Sequence, residues 1–439
     1  LNTEFVLKTI KDENISIIRL WFTDILGQLR GFAITTREIE EAMKSGIGFD
    51  GSSIEGFARI HESDLMAFPD PNTFKILPEN FGGYKCAIMI CDIETPEGNP
   101  YGGDSRYILK KNLEKIAKDN YVMNVGPELE YFYIRNDKSI QLLDNVGYFD
   151  ASVVSEGTIV RKKTVQALEE LEIKLECSHH EVAPSQHEID MRYTSALEMA
   201  DQVMTAKFII KEIARQNGIY ATFMPKPLSG INGSGMHVHQ SIFQNSKNLF
   251  YDKDDVYHLS KFAKCYTAGI LKHIKEITVI LNQWVNSYKR LVPGYEAPVY
   301  ICWGQKNRSA LVRVPKYRIG KENSTRIELR SPDPSCNPYL AFSVMLAAGM
   351  KGIEENLELE LPMEENIYEM TPFERRNQNI NVLPGDLYEA IQEFQKSKLM
   401  KETLGTHIFT KFIENKLIEW DQYRGIVSQY EYEKYLSIL

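Results

Sequence analysis

Apolar and polar residues alternate with a period of two in three short stretches of the chain: Glu128-Leu129-Glu130, His237-Val238-His239 and Arg326-Ile327-Glu328-Leu329-Arg330. Residues two apart in a β-strand share a face, with Cβ atoms about 6–7 Å apart at a rise of about 3.3 Å per residue. Each stretch therefore turns apolar groups to one side of a sheet and carboxylates, imidazoles or guanidiniums to the other. Strand patterns near 122–134, 173–192, 219–224, 234–243, 309–314 and 325–331 alternate with longer helical patterns, Asp201 to Gln216 and Leu259 to Leu281. The strands hold most of the chemistry-bearing residues and the helices read as packing. This is the pattern of an α+β domain with one working sheet face.

Upstream, Ile15 to Phe22 and Lys85 to Ile93 are dense in β-branched and aromatic residues, as strands prefer. Ile25-Leu26-Gly27-Gln28 predicts a hairpin turn, and Asp50 to Phe57 a loop. Thr95 to Gly103, with two prolines and three glycines, is the clearest linker, and Asp104 or Ser105 caps a helix running towards Asn120. The chain thus divides into a small β-rich unit, 1–100, and a larger one, 101–439. The last quarter turns helical. Phe409, Ile413, Leu417 and Trp420 form a one-sided stripe that reads as core-facing or subunit-facing.

The 439 residues suffice for two or three domains, and 43% hydrophobic with 25% charged is ordinary for a globular enzyme. A formal charge of −9 weighs against direct nucleic-acid binding. No stretch is long and apolar enough to span a bilayer, and Leu1 to Phe5 lacks the features of a secretory signal. The six cysteines are scattered and read as reduced, incidental thiols. The expectation is a cytoplasmic enzyme without a membrane partner.

Four groups carry the chemistry. Glu128 and Glu130 on one strand face repel unless a cation sits beside them, although taken alone they read more readily as solvated acids. In His179-His180-Glu181-Val182-Ala183-Pro184-Ser185-Gln186-His187-Glu188, the Pro-Ser bend returns Glu188 towards Glu181. Oxygen-rich sites suit Mg²⁺ or Mn²⁺ rather than zinc. Asn232-Gly233-Ser234-Gly235 runs into the strand carrying His237 and His239, so backbone N–H groups approach an anion closely beside two imidazoles. Arg290, Arg308, Arg313, Arg326 and Arg330 offer forks for carboxylate and phosphate. No Gly-x-x-x-x-Gly-Lys-Ser/Thr loop occurs, so ATP, if bound, is held by metals and arginines on a sheet.

These motifs, with Lys289-Arg290-Leu291-Val292-Pro293-Gly294-Tyr295-Glu296-Ala297-Pro298, Asn307-Arg308-Ser309-Ala310, Ser331-Pro332-Asp333-Pro334 and Phe49-Asp50-Gly51-Ser52-Ser53, resemble the bacterial type I glutamine synthetases nearly end to end. The resemblance implies an N-terminal β-grasp domain and a catalytic α/β domain whose curved antiparallel sheet lines the active site. It further implies a homo-dodecamer of two hexameric rings, with active sites shared between neighbours. By motif, Glu130, Glu181 and Glu188 hold one divalent ion, and Glu128, His237 and Glu328 a second. Glu176, Tyr193, His239, Ser241, Arg313 and Arg326 contact ATP. Asn232, Gly233, Arg290, Glu296, Arg308 and Arg330 position L-glutamate. Asp50, Ser53 and Glu296 receive ammonium, with Asp50 as base; Asp50, Glu296 and Arg308 are the catalytic set.

Some positions depart from the family pattern. Ser185 stands where many relatives have Gly, and Asn323 where many have Lys. Tyr368 aligns with a tyrosine that one subgroup adenylylates, but its flanks differ and the chain is shorter. The closer resemblance is to the alpha subgroup, which implies glutamine feedback sensed by Arg59 and a transcription-regulator partner. Alternatives within the family are a ligase for larger amines and a non-catalytic regulatory relative. Retention of Asp50, Ser53, Glu296 and the six metal-ligand candidates favours ammonia ligation.

Overall fold

The structure, a computed structural model, describes residues 2–52, 54, 64–78, 81, 84–135, 140–151, 155–295, 297–316, 318–365, 367–378 and 380–439. Three residues singled out above, Ser53, Arg59 and Glu296, lie outside the described residues.

Helix Thr3–Asp12 opens the fold. Asn2 caps it by accepting from Phe5 N–H, and Val6 and Ile10 face the core. Among the described residues six strands then form one sheet: β1 (Ile17–Thr23), β2 (Leu29–Thr35), β3 (Ile47–Asp50), β4 (Asp64–Pro69), β5 (Lys75–Ile76) and β6 (Cys86–Glu94). Their order is β2-β1-β6-β4-β3, with β5 beside β6; of these pairs only β1 with β6 runs parallel. The predicted turn joins β1 to β2. Gly27 adopts φ +77° there, and an added Cβ would lie 2.9 Å from Asn337 Cα in the larger sheet's domain. Glycine thus serves both the turn and a close contact.

Eleven strands form the second sheet among the described residues: β7 (Tyr121–Ile134), β8 (Leu175–His180), β9 (Gln186–Met191), β10 (Thr194–Ser195), β11 (Tyr220–Thr222), β12 (Met236–Gln244), β13 (Lys247–Asn248), β14 (Tyr300–Gly304), β15 (Ala310–Arg313), β16 (Ile327–Leu329) and β17 (Asn381–Val382). Its spine is β17-β14-β15-β16-β12-β7-β9-β8. The parallel pair β14 with β15 makes this a mixed sheet rather than a purely antiparallel one. Helices Ser105–Ala117, Ala196–Gln216, Lys261–Leu281 and Pro338–Glu354 cover its back, sharing a core with Leu129, Val238 and Leu329.

Helix Ala196–Gln216 starts five residues before its predicted Asp201, because Ser195 ends β10 and leads straight into the helix. Helices Glu156–Glu170 and Pro338–Glu354 were not anticipated. The latter is buried on nearly every side and so shows no amphipathic stripe. The domains are clamped by Arg106, 2% exposed, which reaches Asp70 just past β4 (2.9 Å), Asp92 on β6 (2.6 Å) and Asp201 on helix Ala196–Gln216 (2.9 Å). A guanidinium buried this deeply is tolerated because all three carboxylates surround it.

Candidate active site

Register across the second sheet assembles the polar face. Glu128 on β7 stands opposite His237 on β12 and Asp190 on β9. One step along, Glu130 opposes Glu188, which opposes His179 on β8. One step the other way, His239 opposes Glu328 on β16, which opposes Arg313 on β15. Period-two alternation places each side chain on the right face, and cross-strand pairing brings them within reach.

These residues line two adjoining cavities. The larger, about 320 Å³, is walled by Glu128, Glu130, Glu181, Glu188, His237 and Glu328 together with Asn232, Gly233, Arg290, Arg308, Arg313 and Arg330. The smaller, about 230 Å³, is walled by Glu176, Tyr193, His239, Ser241 and Arg326, with Asn323 beside them. Glu128 and Asp190 belong to both and form the partition. The described residues assigned by motif to metals and glutamate thus gather on one side of Glu128, and all those assigned to ATP except Arg313 on the other. Asp50 is exposed at the end of β3, where it accepts from Ser52 N–H (2.8 Å), and it does not line either cavity.

The partition is tightly bonded. His237 Nδ1 meets Glu128 Oε2 at 2.9 Å and His239 Nε2 meets Oε1 at 2.7 Å. Arg326 Nε donates to His239 Nδ1 (3.2 Å), which leaves the imidazole proton on Nε2, facing Glu128. Burial opposes ionisation of Glu128, but the two histidine bonds win and hold its carboxyl well below the ordinary range. Glu328 pairs with Arg313 Nε and, at 3.2 Å, with Arg330 Nε. Arg290 is buried and donates to the Ser331 (2.7 Å) and Arg330 (3.2 Å) carbonyls, fixing the basic end.

The acidic end lacks such compensation. Burial pushes Glu130 up to about 7, although Gly235 N–H and Gln186 Nε2 both donate to it. Burial, then the facing Glu181, drives Glu188 far above the carboxylate range. Buried oxygens that repel one another are what a divalent cation relieves, so this donor set fits Mg²⁺ or Mn²⁺. Among the described residues three donor clusters in the cleft, Glu128–His239–Glu328, His179–Glu181–Glu188 and Cys177–His179–Asp190, each have ligand atoms within 4.8 Å of one another. His237 stands between the first two, 3.7 Å from Glu328 and 3.9 Å from Glu130.

Sequence reasoning missed His179, whose Nε2 is 3.3 Å from Glu188, and Asp190 on the partition. Both were in the quoted or strand-like segments, but only register reveals their neighbours. Cys86, Cys91, Cys265 and Cys336 are buried, whereas Cys177 is exposed on the cleft wall and donates to Asp190 at 2.6 Å. Tyr368 donates to the Ala297 carbonyl (2.9 Å), so its hydroxyl is engaged beside the cleft.

Behind the β8–β9 hairpin lies a second network. Ser185 adopts φ +61° at the bend. Its N–H donates to Asp144 Oδ1 (2.8 Å), and its hydroxyl accepts from Leu143 N–H (2.7 Å) and Asp144 N–H (3.2 Å). His180 donates from Nδ1 to the Glu181 carbonyl (2.7 Å) and from Nε2 to Asp144 (3.1 Å), so it is an imidazolium. Arg161 donates to His187 Nδ1 (2.7 Å).

Comparison with known proteins agrees with this geometry. Residues 14–96 match the family model described as glutamine synthetase, beta-Grasp domain, and residues 102–435 the model described as glutamine synthetase, catalytic domain. The chain is 48% identical to the glutamine synthetase of Methanosarcina mazei over 99% of its own length and 98% of that protein's. It is likewise 48% identical to that of Mycolicibacterium smegmatis, over 99% of each. Among solved structures, a GmaS/ADP complex superposes with a TM-score of 0.90 at 29% identity, covering 98% of this chain and 99% of that one. With both domains matched in order and relatives aligned along their whole length, the chain belongs to the glutamine synthetase family.

Proposed function

We propose that the two cavities are the halves of one ATP-dependent ligase site that joins ammonia to the γ-carboxylate of L-glutamate. The products are glutamine, ADP and phosphate, and the intermediate is γ-glutamyl phosphate. The observation that carries this reading is the partition, because Glu128 faces a cavity lined by Glu176, Tyr193, His239 and Arg326 on one side and a cavity rich in carboxylates and arginines on the other. Glu130, Glu181 and Glu188, with His179 alongside, would hold one divalent ion. Glu128, Glu328 and His237, with His239 alongside, would hold another. Bound Mg²⁺ or Mn²⁺ supplies Lewis-acid stabilisation of charge on the transferred phosphoryl group.

The chain's own groups do the rest. Arg313 and Arg326 take phosphate oxygens, and Tyr193 and Glu176 meet the nucleoside. Arg290, Arg308 and Arg330, with the Asn232–Gly233 backbone, orient glutamate so that its γ-carboxylate meets the γ-phosphate. Phosphorylation turns a poor leaving group into phosphate. Ammonium must then lose a proton, since only ammonia has a lone pair, and Asp50 takes it. Asp50 lines neither cavity of its own chain, in keeping with the family pattern in which a neighbour's Asp50 and Ser53 complete each site beside the chain's own Glu296. This is why a ring oligomer, a dodecamer of two hexamers, accompanies the proposal. The flap begins at Pro293-Gly294, and its Tyr295 and Ala297 line the cleft, placed to keep water from the acyl phosphate.

The chain divides into domains at 1–100 and 101–439 and is a cytoplasmic member of the alpha subgroup, with glutamine feedback sensed by Arg59 and a transcription-regulator partner. Among the described residues no helix is long and apolar enough to cross a membrane. The test is product formation from glutamate, ATP and Mg²⁺ with ammonium, with larger amines, and with none. Glutamine appearing stoichiometrically with phosphate only when ammonium is present is the expected result. Product only with a larger amine moves the chain to amine ligation, and no turnover in metal-loaded protein leaves a binding role.

A further inference from the structure

A third cavity, of about 700 Å³, lies between the β1–β2 turn, helix Ala196–Gln216 and the far end of helix Lys398–Arg424. That volume is in the range of small-molecule sites. Its charge is opposite to that of the active-site cleft. Lys207, 9% exposed, stands in its wall with one of three ammonium donors used, on the Cys336 carbonyl at 3.3 Å. Lys211 and Lys289 stand exposed at its rim. Lys207 and Lys211 both approach the Phe223 ring, at 5.8 and 5.7 Å, and Lys289 approaches that of Tyr423 at 5.5 Å. The nearby acids are committed elsewhere. Glu419 accepts from Val285 N–H (3.0 Å) and Lys416 Nζ (2.7 Å), and Asp333 from Asn282 Nδ2 (3.0 Å) and Ser335 N–H (3.1 Å). A buried ammonium without a carboxylate partner is costly, and burial lowers the pKa of Lys207 to about 8.

We propose that this cavity is a second ligand site, for a small organic anion with a carboxylate or phosphate head and a flat apolar body, and that its occupancy is transmitted to the glutamate loop. The lysines take the head, and Phe223, Trp284 and Tyr423 the body. Transmission has a short physical route. The carbonyl of Pro225, in the cavity wall, accepts from Ser234 N–H (2.8 Å), and a Cβ on Gly233 would lie 2.2 Å from the same carbonyl. Asn286, also in the wall, bonds both the N–H (2.7 Å) and the carbonyl (3.0 Å) of Lys226, whose Nζ donates to the Ile231 carbonyl. Movement of this wall therefore moves residues 231–234, which carry Asn232 and Gly233. This second half rests on the role given to those residues under the proposed function.

Trp284 makes binding visible. The assembled protein is titrated with phenylacetate, phenyl phosphate and neutral phenylacetamide, followed by tryptophan fluorescence and calorimetry, with Trp284→Phe as the optical control. At least one acid binds below about 1 mM, with the amide roughly tenfold weaker. Lys207→Met and Lys211→Gln each weaken the acid roughly tenfold while melting temperature holds. Should Lys207→Met not fold, the exposed Lys211 carries the comparison. Saturating acid shifts the KM for glutamate at least about twofold in the parent and not in Lys207→Met. Equal binding of acid and amide, binding that survives both substitutions, no binding at about 10 mM, or a neighbouring copy filling the cavity overturns the site. Binding without a KM shift overturns the transmission. Absence of glutamine synthesis with or without ligand would instead sink the proposed function and leave the binding result standing.

Discussion

The β8–β9 hairpin has two faces of opposite character. Its front presents His179, Glu181, Glu188 and Asp190 to the cleft, where carboxylates crowd one another and burial drives Glu188 and Asp190 upward. Its back sets the His180 imidazolium against Asp144 and closes the bend with three hydrogen bonds to Ser185. The front is under electrostatic strain, and the back is bonded around Asp144 and Ser185. A site kept ready for cations is built on repulsion, and a bonded scaffold must hold it in shape.

The comparison breaks most sharply at Glu188. Glu188→Gln removes a ligand from the front and relieves repulsion, so activity and stability should move in opposite directions. Glutamine formation should fall on the order of 10²–10³-fold. The metal-free protein should melt about 2–4 °C higher by calorimetry in chelator. A lower melting temperature would mean the front is not strained.

Asp144→Ala attacks the back and should lower both. It strands a buried imidazolium, costing about 3 kcal/mol in denaturant unfolding, and disorders the ligands in front, costing roughly tenfold in activity. Unchanged stability would detach the network from the hairpin.

A pH series probes the crowded cleft without mutation. Glu130 binds its proton more tightly when folded, with its pKa raised from 4.5 to about 7. Its contribution to stability is therefore full below about pH 4.5 and is lost as pH rises through about 7, at most about 3 kcal/mol. Burial raises Asp104, at the domain junction, from 3.8 to about 7, which adds a slope of the same sign. Mn²⁺ should flatten the Glu130 part only, since a cation favours the carboxylate and Asp104 lines neither half of the cleft. Identical slopes with and without Mn²⁺ would contradict this.

The mildest probe is Ser185→Gly, which permits the φ of +61° and deletes the hydroxyl. Loss of about 1–2 kcal/mol and a few-fold weaker Mn²⁺ binding are expected. Stability equal to the parent would show the hydroxyl bonds to be idle.

The same contrast explains what the sequence could disclose. Glu128 with Glu130, and His237 with His239, were legible because a strand's period of two is written locally. That His239 would face Glu328, or that Asp190 would share the partition with Glu128, was not, because register depends on partners far away along the chain. The hairpin bend was readable from Pro184-Ser185, whereas Asp144, which closes it from a loop 41 residues upstream, left no local signal. Helix Pro338–Glu354 escaped because full burial erases amphipathic periodicity. Family motifs supplied the roles, and only the fold supplied the neighbours.

The measurement that bears most directly on this account is a Mn²⁺ titration followed by electron paramagnetic resonance, on the parent chain and on Glu188→Gln and Glu128→Gln. The account predicts at least two ions bound per chain in the parent, with each substitution weakening a different one. No tightly bound ion in the parent, or titrations that neither substitution alters, would contradict it.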